Sequence, residues 1–137
     1  SPVTVNTGII WIVAYVPDTK DVLKIKPNLE RLAALSHALN AAGLTVFGDT
    51  EYGHEIEVRT FAPACGIAED PVCGSGNGSV AAFRQYYNLL GPQGASYIAH
   101  QGQNVGRNGK IIVHYKENGQ ISIGGSCITT MDGKINI

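Results

Sequence analysis

The sequence predicts an α+β domain in which strands dominate and two helices play opposite parts, one wrapped by sheet and one at the surface. Three observations carry this expectation. Runs of β-branched and aromatic residues recur along the chain, separated by glycines, many of them paired or following Asn, that mark tight turns. Residues 79–90 carry a single charge, Arg84, and neither Pro nor Gly, so a helix there is apolar round most of its circumference and belongs in a core. Residues 29–42 instead bring Leu29, Leu32, Ala33, Leu35, Ser36, Leu39 and Ala42 close to helical spacing, leaving Arg31, His37 and Asn40 for water.

The elements follow in order. Residues 3–16 read as extended, interrupted at Asn6-Thr7-Gly8, and the run 9–16 (IIWIVAYV) fits a buried strand that Pro17-Asp18 ends. Residues 20–26 read as a connector with a short extended piece at 22–25. Pro27-Asn28 opens the surface helix with Asn28 as N-cap, and Gly43 is the expected residue just past its end. Residues 44–47 form a strand ended by Gly48-Asp49, and residues 50–54 are turn-rich. In residues 55–61 (EIEVRTF) polar and apolar side chains alternate, which predicts a strand with one wet face. That strand leads into residues 69–78 (EDPVCGSGNG) and so to the buried helix. Gly91-Pro92-Gln93-Gly94 is a turn and residues 96–100 are extended. Residues 110–116 and 120–123 form a hairpin about Asn118-Gly119. Gly124-Gly125 marks a bulge or bend before a last strand at 127–131.

At 137 residues, with 44% hydrophobic and 15% charged side chains, the chain is the size of one globular domain, residues 1–137. A net charge of −1 with no basic cluster argues against nucleic acid as a partner. The longest apolar run is far too short for a bilayer, and the opening Ser1-Pro2-Val3-Thr4 lacks a signal-peptide pattern, so no membrane is expected. Three cysteines are an odd number for a disulfide framework, their spacing fits no zinc site, and the four histidines are dispersed. A cytoplasmic protein with reduced thiols and no metal is expected.

The chemistry concentrates in residues 69–78. Gly74, Gly76 and Gly78 allow a ligand close to the backbone, and N–H groups converging on a helix start favour an anion. The alternative is a strand-to-helix turn that needs glycine for geometry alone. Cys73 sits where a helix N-terminus lowers a thiol's pKa, making it either a proton carrier or nucleophile, or a small buried side chain. Cys65 and Cys127 read as small buried side chains. Glu69 and Asp70 are either surface charges or groups aimed at a substrate, and Arg107, in Gly106-Arg107-Asn108-Gly109, reads as a turn residue rather than an anion clamp.

From Arg59 to Gly78 the chain reads RTFAPACGIAEDPVCGSGNG, which resembles the signature of the PhzF-like family, named for a phenazine-biosynthesis isomerase, where R-x-F-x-P leads to G-I-x-E-D-P-x-T-G-S. Val5-Asn6-Thr7-Gly8 with Trp11 resembles the family's D-T-G-x-x-W strand. His100-Gln101-Gly102 with Gly106-Arg107 resembles its Q-G-x-x-x-G-R segment, and Ile123-Gly124-Gly125-Ser126 its late G-G strand. The resemblance implies the diaminopimelate-epimerase fold: two similar halves, each a curved, mostly antiparallel sheet round a central helix, with the active site in the cleft between. Relatives are about twice this length, so the chain looks like the C-terminal half, whose partners would be the N-terminal half, a small carboxylated substrate and, through self-association, a second copy. It implies chemistry without a cofactor, in which Asp70 orients substrate or assists proton transfer and Gly74, Ser75, Gly76 and Asn77 hold its anionic end. Cys73 departs from the isomerases' Thr and is similar to the second catalytic cysteine of diaminopimelate epimerases, in their C-G-[ST]-G motif. Three readings stay open: an isomerase half, half of a two-base racemase using Cys73, or a non-catalytic anion-binding or packing fragment. The half alone is expected to be inactive.

Overall fold

The computed structural model describes residues 1–50, 55–90 and 96–136. Thr50 is described, while the rest of the expected turn at 50–54 and the expected turn at 91–94 lie outside these residues. A single sheet organises the chain. Its strands are β1 (Val3–Asn6), β2 (Ile10–Tyr15), β3 (Gly43–Asp49), β4 (Glu55–Ala62), β5 (Ile67–Asp70), β6 (Ser96–Gln101), β7 (Gly109–Tyr115) and β8 (Ile121–Gly124). They run in the order β1-β2-β3-β4-β6-β7-β8, with β5 paired to β4. Neighbours are antiparallel except β2 with β3 and β4 with β6.

Each parallel step needs a crossover, and the two pass on opposite faces. Between β2 and β3 the chain forms α1 (Thr19–Lys24) and α2 (Leu29–Ala38), which pack on β3 and β4. Between β5 and β6 it forms α3 (Gly74–Tyr86), which touches β1, β2 and β3 as well as β7 and β8. A helix that meets both ends of the strand order is one the sheet curls around. The resulting α+β half-barrel is the fold expected.

The sheet therefore separates two cores. Trp11, Val13, Phe47, Ile56, Val58, Ala99 and Val113 face inward against Val80, Ala81 and Phe83 of α3. Val46 and Phe61 face outward against Val22 of α1 and Leu32 of α2. Arg84, the lone charge of α3, is 1% exposed; it pairs with Asp49 and lies over the rings of Tyr97 and Phe47.

Several expectations need correction, and two share one cause. Residues 19–24 are helical, not a connector with an extended piece: Asp18, read as a strand end, caps α1 by accepting from the Lys20 N–H at 2.8 Å. Because α1 lies over β4, the strand's second face is dry, with Glu57 and Arg59 each 5% exposed. Alternation reported the pleat correctly; the polar side is covered by a helix instead of water.

Asn28 does cap α2, accepting from the Arg31 N–H at 2.9 Å. The helix ends earlier than expected, through Leu39 to left-handed Asn40 (φ 51°), while Gly43 begins β3. A Cβ at Gly43 would lie 2.0 Å from the Phe61 carbonyl oxygen, so that glycine serves strand packing. Leu29, Leu35 and Leu39 of the expected apolar stripe remain exposed.

Glycines 74, 76 and 78 lie inside α3, which starts five residues before the predicted 79 and ends at Tyr86, with Asn88 left-handed (φ 55°). Residues 127–131 form no strand. Ile128, Met131 and Ile135 stand about 90% exposed, since no second strand among the described residues offers them a face to cover. Cys65 and Cys127 are exposed, not buried. Among the described residues, no helix is long and apolar enough to cross a membrane.

Candidate functional site

The chain turns from β5 into α3 through Asp70-Pro71-Val72-Cys73, a turn held by the Asp70 carboxylate at the surface and by Gln101 from within. Asp70 Oδ1 accepts from the Val72 N–H at 2.9 Å, bending the backbone at Pro71. Gln101, 1% exposed at the end of β6, donates through Nε2 to the Asp70 carbonyl oxygen at 2.7 Å. Its Oε1 accepts from the Cys73 N–H at 3.3 Å and from Asn77 Nδ2 at 2.8 Å. One glutamine thus ties the last residue of β5, the cap of α3 and the helix's first turn. Gly102 and Gly109 let the following segment approach, since a Cβ at either would meet the Pro71 carbonyl oxygen, at 2.6 and 3.3 Å.

Cys73 is the N-cap of α3. Its Sγ accepts from the Gly76 N–H at 3.4 Å and lies 3.6 Å from Ser75 Oγ, which in turn accepts from Trp11 Nε1 at 3.2 Å. The expectation of an acidified thiol is reversed: burial pushes the Cys73 thiol up, and the donors at Gly76 and Ser75 offset this only in part. The Asp70 carboxylate adds to the rise. A helix terminus lowers a thiol's pKa where water also reaches it; here the side chain is 6% exposed.

The three glycines divide their roles. Gly76 faces the sheet, where a Cβ would meet Thr45 Oγ1 at 2.9 Å and Thr60 Oγ1 at 3.1 Å. It lets α3 settle on the sheet and offers nothing to a ligand beyond its N–H, which Cys73 already takes. Gly74 and Gly78 have open space where a Cβ would be. Gly74 is exposed and lines an open groove of about 660 Å³, shared with Val72, Lys110, Gly124, Gly125 and Cys127. As the first two residues of the helix, Gly74 and Ser75 present N–H groups that no helix carbonyl can accept. Asn77 is fully buried, its amide donating to the Cys73 carbonyl oxygen at 2.9 Å and to Gln101. Its side chain therefore shapes the turn from within.

Glu69 is no free surface charge. It takes both Arg59 Nε (2.9 Å) and Nη2 (2.8 Å), while Arg59 Nη1 donates to the carbonyl oxygens of Val22, Leu23 and Ile25 at the end of α1. This ion pair anchors β5, and so Asp70, to the outer helices. Arg107 is exposed in a turn, its guanidinium reaching, among the described residues, only the neighbouring Gly106 carbonyl oxygen at 3.4 Å. Sequence reasoning gave no role to Gln101, Trp11 or the Arg59–Glu69 pair. All three lie in the stretches that carried the family resemblance, which was the available signal.

Asp70, Cys73, Gly74 and Ser75 are thus brought together at one end of the curled sheet, beside an open groove. Comparison with known proteins agrees with this architecture. A 1.76 Å structure of a putative phenazine biosynthesis PhzC/PhzF protein from Clostridium difficile superposes over 99% of this chain and 54% of its own, with a TM-score of 0.68 at 20% identity, a likeness of fold. "Antisense-enhancing sequence 1" of Schizosaccharomyces pombe is 33% identical over 97% of this chain, and an uncharacterized isomerase of Clostridium acetobutylicum is 30% identical over 96%. The chain spans 46% of the length of each of these two relatives. The family model for phenazine biosynthesis-like proteins matches residues 1–133, and the chain belongs to that family, PhzC-PhzF.

Proposed function

We propose that the chain supplies one wall of a two-walled active site, as the C-terminal half of a cofactor-independent isomerase that moves a proton on a small carboxylated substrate. Relatives named as isomerases support the general activity. The observation that carries the reading is the start of α3, where Gly74 opens onto a groove and the first N–H groups are free of helix partners. Those groups would hold a carboxylate or developing enolate oxygen. Asp70, half-buried and fixed by Gln101, would orient the substrate or assist the proton's transfer. General acid–base work needs a group on each side of the reacting carbon, so the opposing group would come from a further half. The exposed Ile128, Met131 and Ile135, with Leu35 on α2 and Leu39 just past its end, are the kind of apolar side chains that a partner half or a second copy would cover.

Cys73 favours this reading over a two-base racemase. A buried thiol held above its ordinary pKa is poorly placed to be a resting thiolate base, and fits a side chain lining the turn where isomerases carry Thr. The test uses a longer polypeptide that joins this chain to its upstream half. A panel of amino and hydroxy carboxylates is screened by NMR for exchange of C–H with deuterium from solvent. Asp70→Asn is expected to lower exchange by roughly 10²–10⁴-fold, with Cys73→Thr close to the parent. The reverse pattern establishes the racemase. No exchange on any substrate, with carboxylate binding intact, establishes a binding fragment.

A further inference from the structure

The hydrogen bond between Trp11 and Ser75 has a direction fixed by chemistry. An indole N–H only donates, so Ser75 Oγ is the acceptor at 3.2 Å. The same oxygen stands 3.6 Å from Cys73 Sγ, which also receives the Gly76 N–H at 3.4 Å. Trp11 belongs to β2 and is 4% exposed, so its indole is held by the core and not by the turn it contacts. With one lone pair of Ser75 engaged, the hydroxyl proton is free to point at sulfur. A hydroxyl whose oxygen already accepts a hydrogen bond is also a stronger donor. A thiol can give its own proton to Ser75, but a thiolate can only accept. The series from Trp11 through Ser75 to Cys73 therefore tightens as the sulfur gains charge.

We propose that Trp11 is a positioning residue of this site, which acts through the Ser75 hydroxyl to favour the thiolate of Cys73. It works against burial and against Asp70, the charged group that acts on the sulfur. The arrangement gives a thiol that is protonated at rest and eased toward ionisation by a donor from another strand. The proposal concerns the site just described but reads the thiol itself, not turnover, so it and the isomerase reading can fail separately.

The test uses the 137-residue chain with Cys65→Ser and Cys127→Ser, leaving Cys73 as the single thiol, labelled with ¹³C at Cβ and titrated by NMR. Ser75→Ala is expected to raise the titration midpoint by roughly one pH unit, and Trp11→Phe by roughly half a unit. In the Ser75→Ala background Trp11→Phe is expected to add nothing, because its route is gone. Should Trp11→Phe fail to fold, the parent still gives a reading. Its one tryptophan yields one indole N–H resonance, expected to shift with the Cys73 midpoint and to lose that shift in Ser75→Ala. An equal effect of Trp11→Phe with and without Ser75, or an indole signal that ignores the thiol's titration, overturns the proposal.

Discussion

The parent chain should lose stability between about pH 4.5 and 7, and replacing Glu57 by Gln should remove the part of that loss due to this carboxyl. Glu57 is 5% exposed under the outer layer of the half-barrel. One carboxyl oxygen accepts from Gln103 Nε2 at 3.0 Å; the other has no partner among the described residues. Arg59, two residues along on the same face, offsets burial only in part, since its guanidinium is already shared between Glu69 and three carbonyl oxygens at the end of α1. Burial thus raises the carboxyl from its ordinary 4.5 to about 7. The sign follows from proton counting. Between these values the folded chain holds a proton that the unfolded chain has released, so raising the pH favours unfolding. At about 1.4 kcal/mol per pH unit, the full cost reached above pH 7 is roughly 3 kcal/mol. Glutamine keeps an acceptor for Gln103 and carries no charge at any pH. Urea unfolding followed by circular dichroism, at steps from pH 4 to 8, gives ΔG for both proteins. Groups that titrate in both cancel in the difference. The variant should gain on the parent by roughly 3 kcal/mol across the window; two curves that run parallel would refute the burial argument.

Two further substitutions test the packing that sets the site. Gly76→Ala should cost about 1–3 kcal/mol, because its Cβ meets two threonine hydroxyls of the sheet, while Gly78→Ala should gain roughly 0.5–1 kcal/mol, because it fills open space in a helix; urea midpoints read both. Gln101→Leu should cost about 2–4 kcal/mol by removing the hydrogen bonds to the Asp70 carbonyl and the Cys73 N–H, and leaving the Asn77 amide with its bond to the Cys73 carbonyl alone. Amide hydrogen exchange should show the loosening at residues 70–77 first, and protection there unchanged from the parent would count against the hub.

The periodicity of residues 55–61 and the Asn-Gly hairpin were readable because each reflects a local rule, the pleat of a strand and the geometry of a turn. The buried character of α3 was readable for the same reason, one charge in twelve residues. What escaped depends on contacts between distant segments. Nothing near Glu57 or Arg59 says that a six-residue helix will cover them, and α1 was itself hidden because Val22, Leu23 and Ile25 look as much like a strand as like one helical turn. Likewise a cysteine before a glycine-rich helix start carries the sign of the helix's field in its sequence, but not the burial that outweighs it. Gln101 became a hub only when β6 came to lie beside the turn after β5. Gly74, Gly76 and Gly78 read alike in the sequence; that Gly74 opens onto a groove while Gly76 serves the sheet required Thr45 and Thr60 in place.

The most direct test of the account compares the isolated chain with the same chain joined to its upstream half, both followed by NMR for exchange of a carboxylate substrate's C–H with solvent deuterium. The account predicts no exchange by the isolated chain, exchange by the joined protein, and its loss in joined Asp70→Asn. Exchange by the isolated chain at the rate of the joined protein would contradict the claim that this domain is one wall of two.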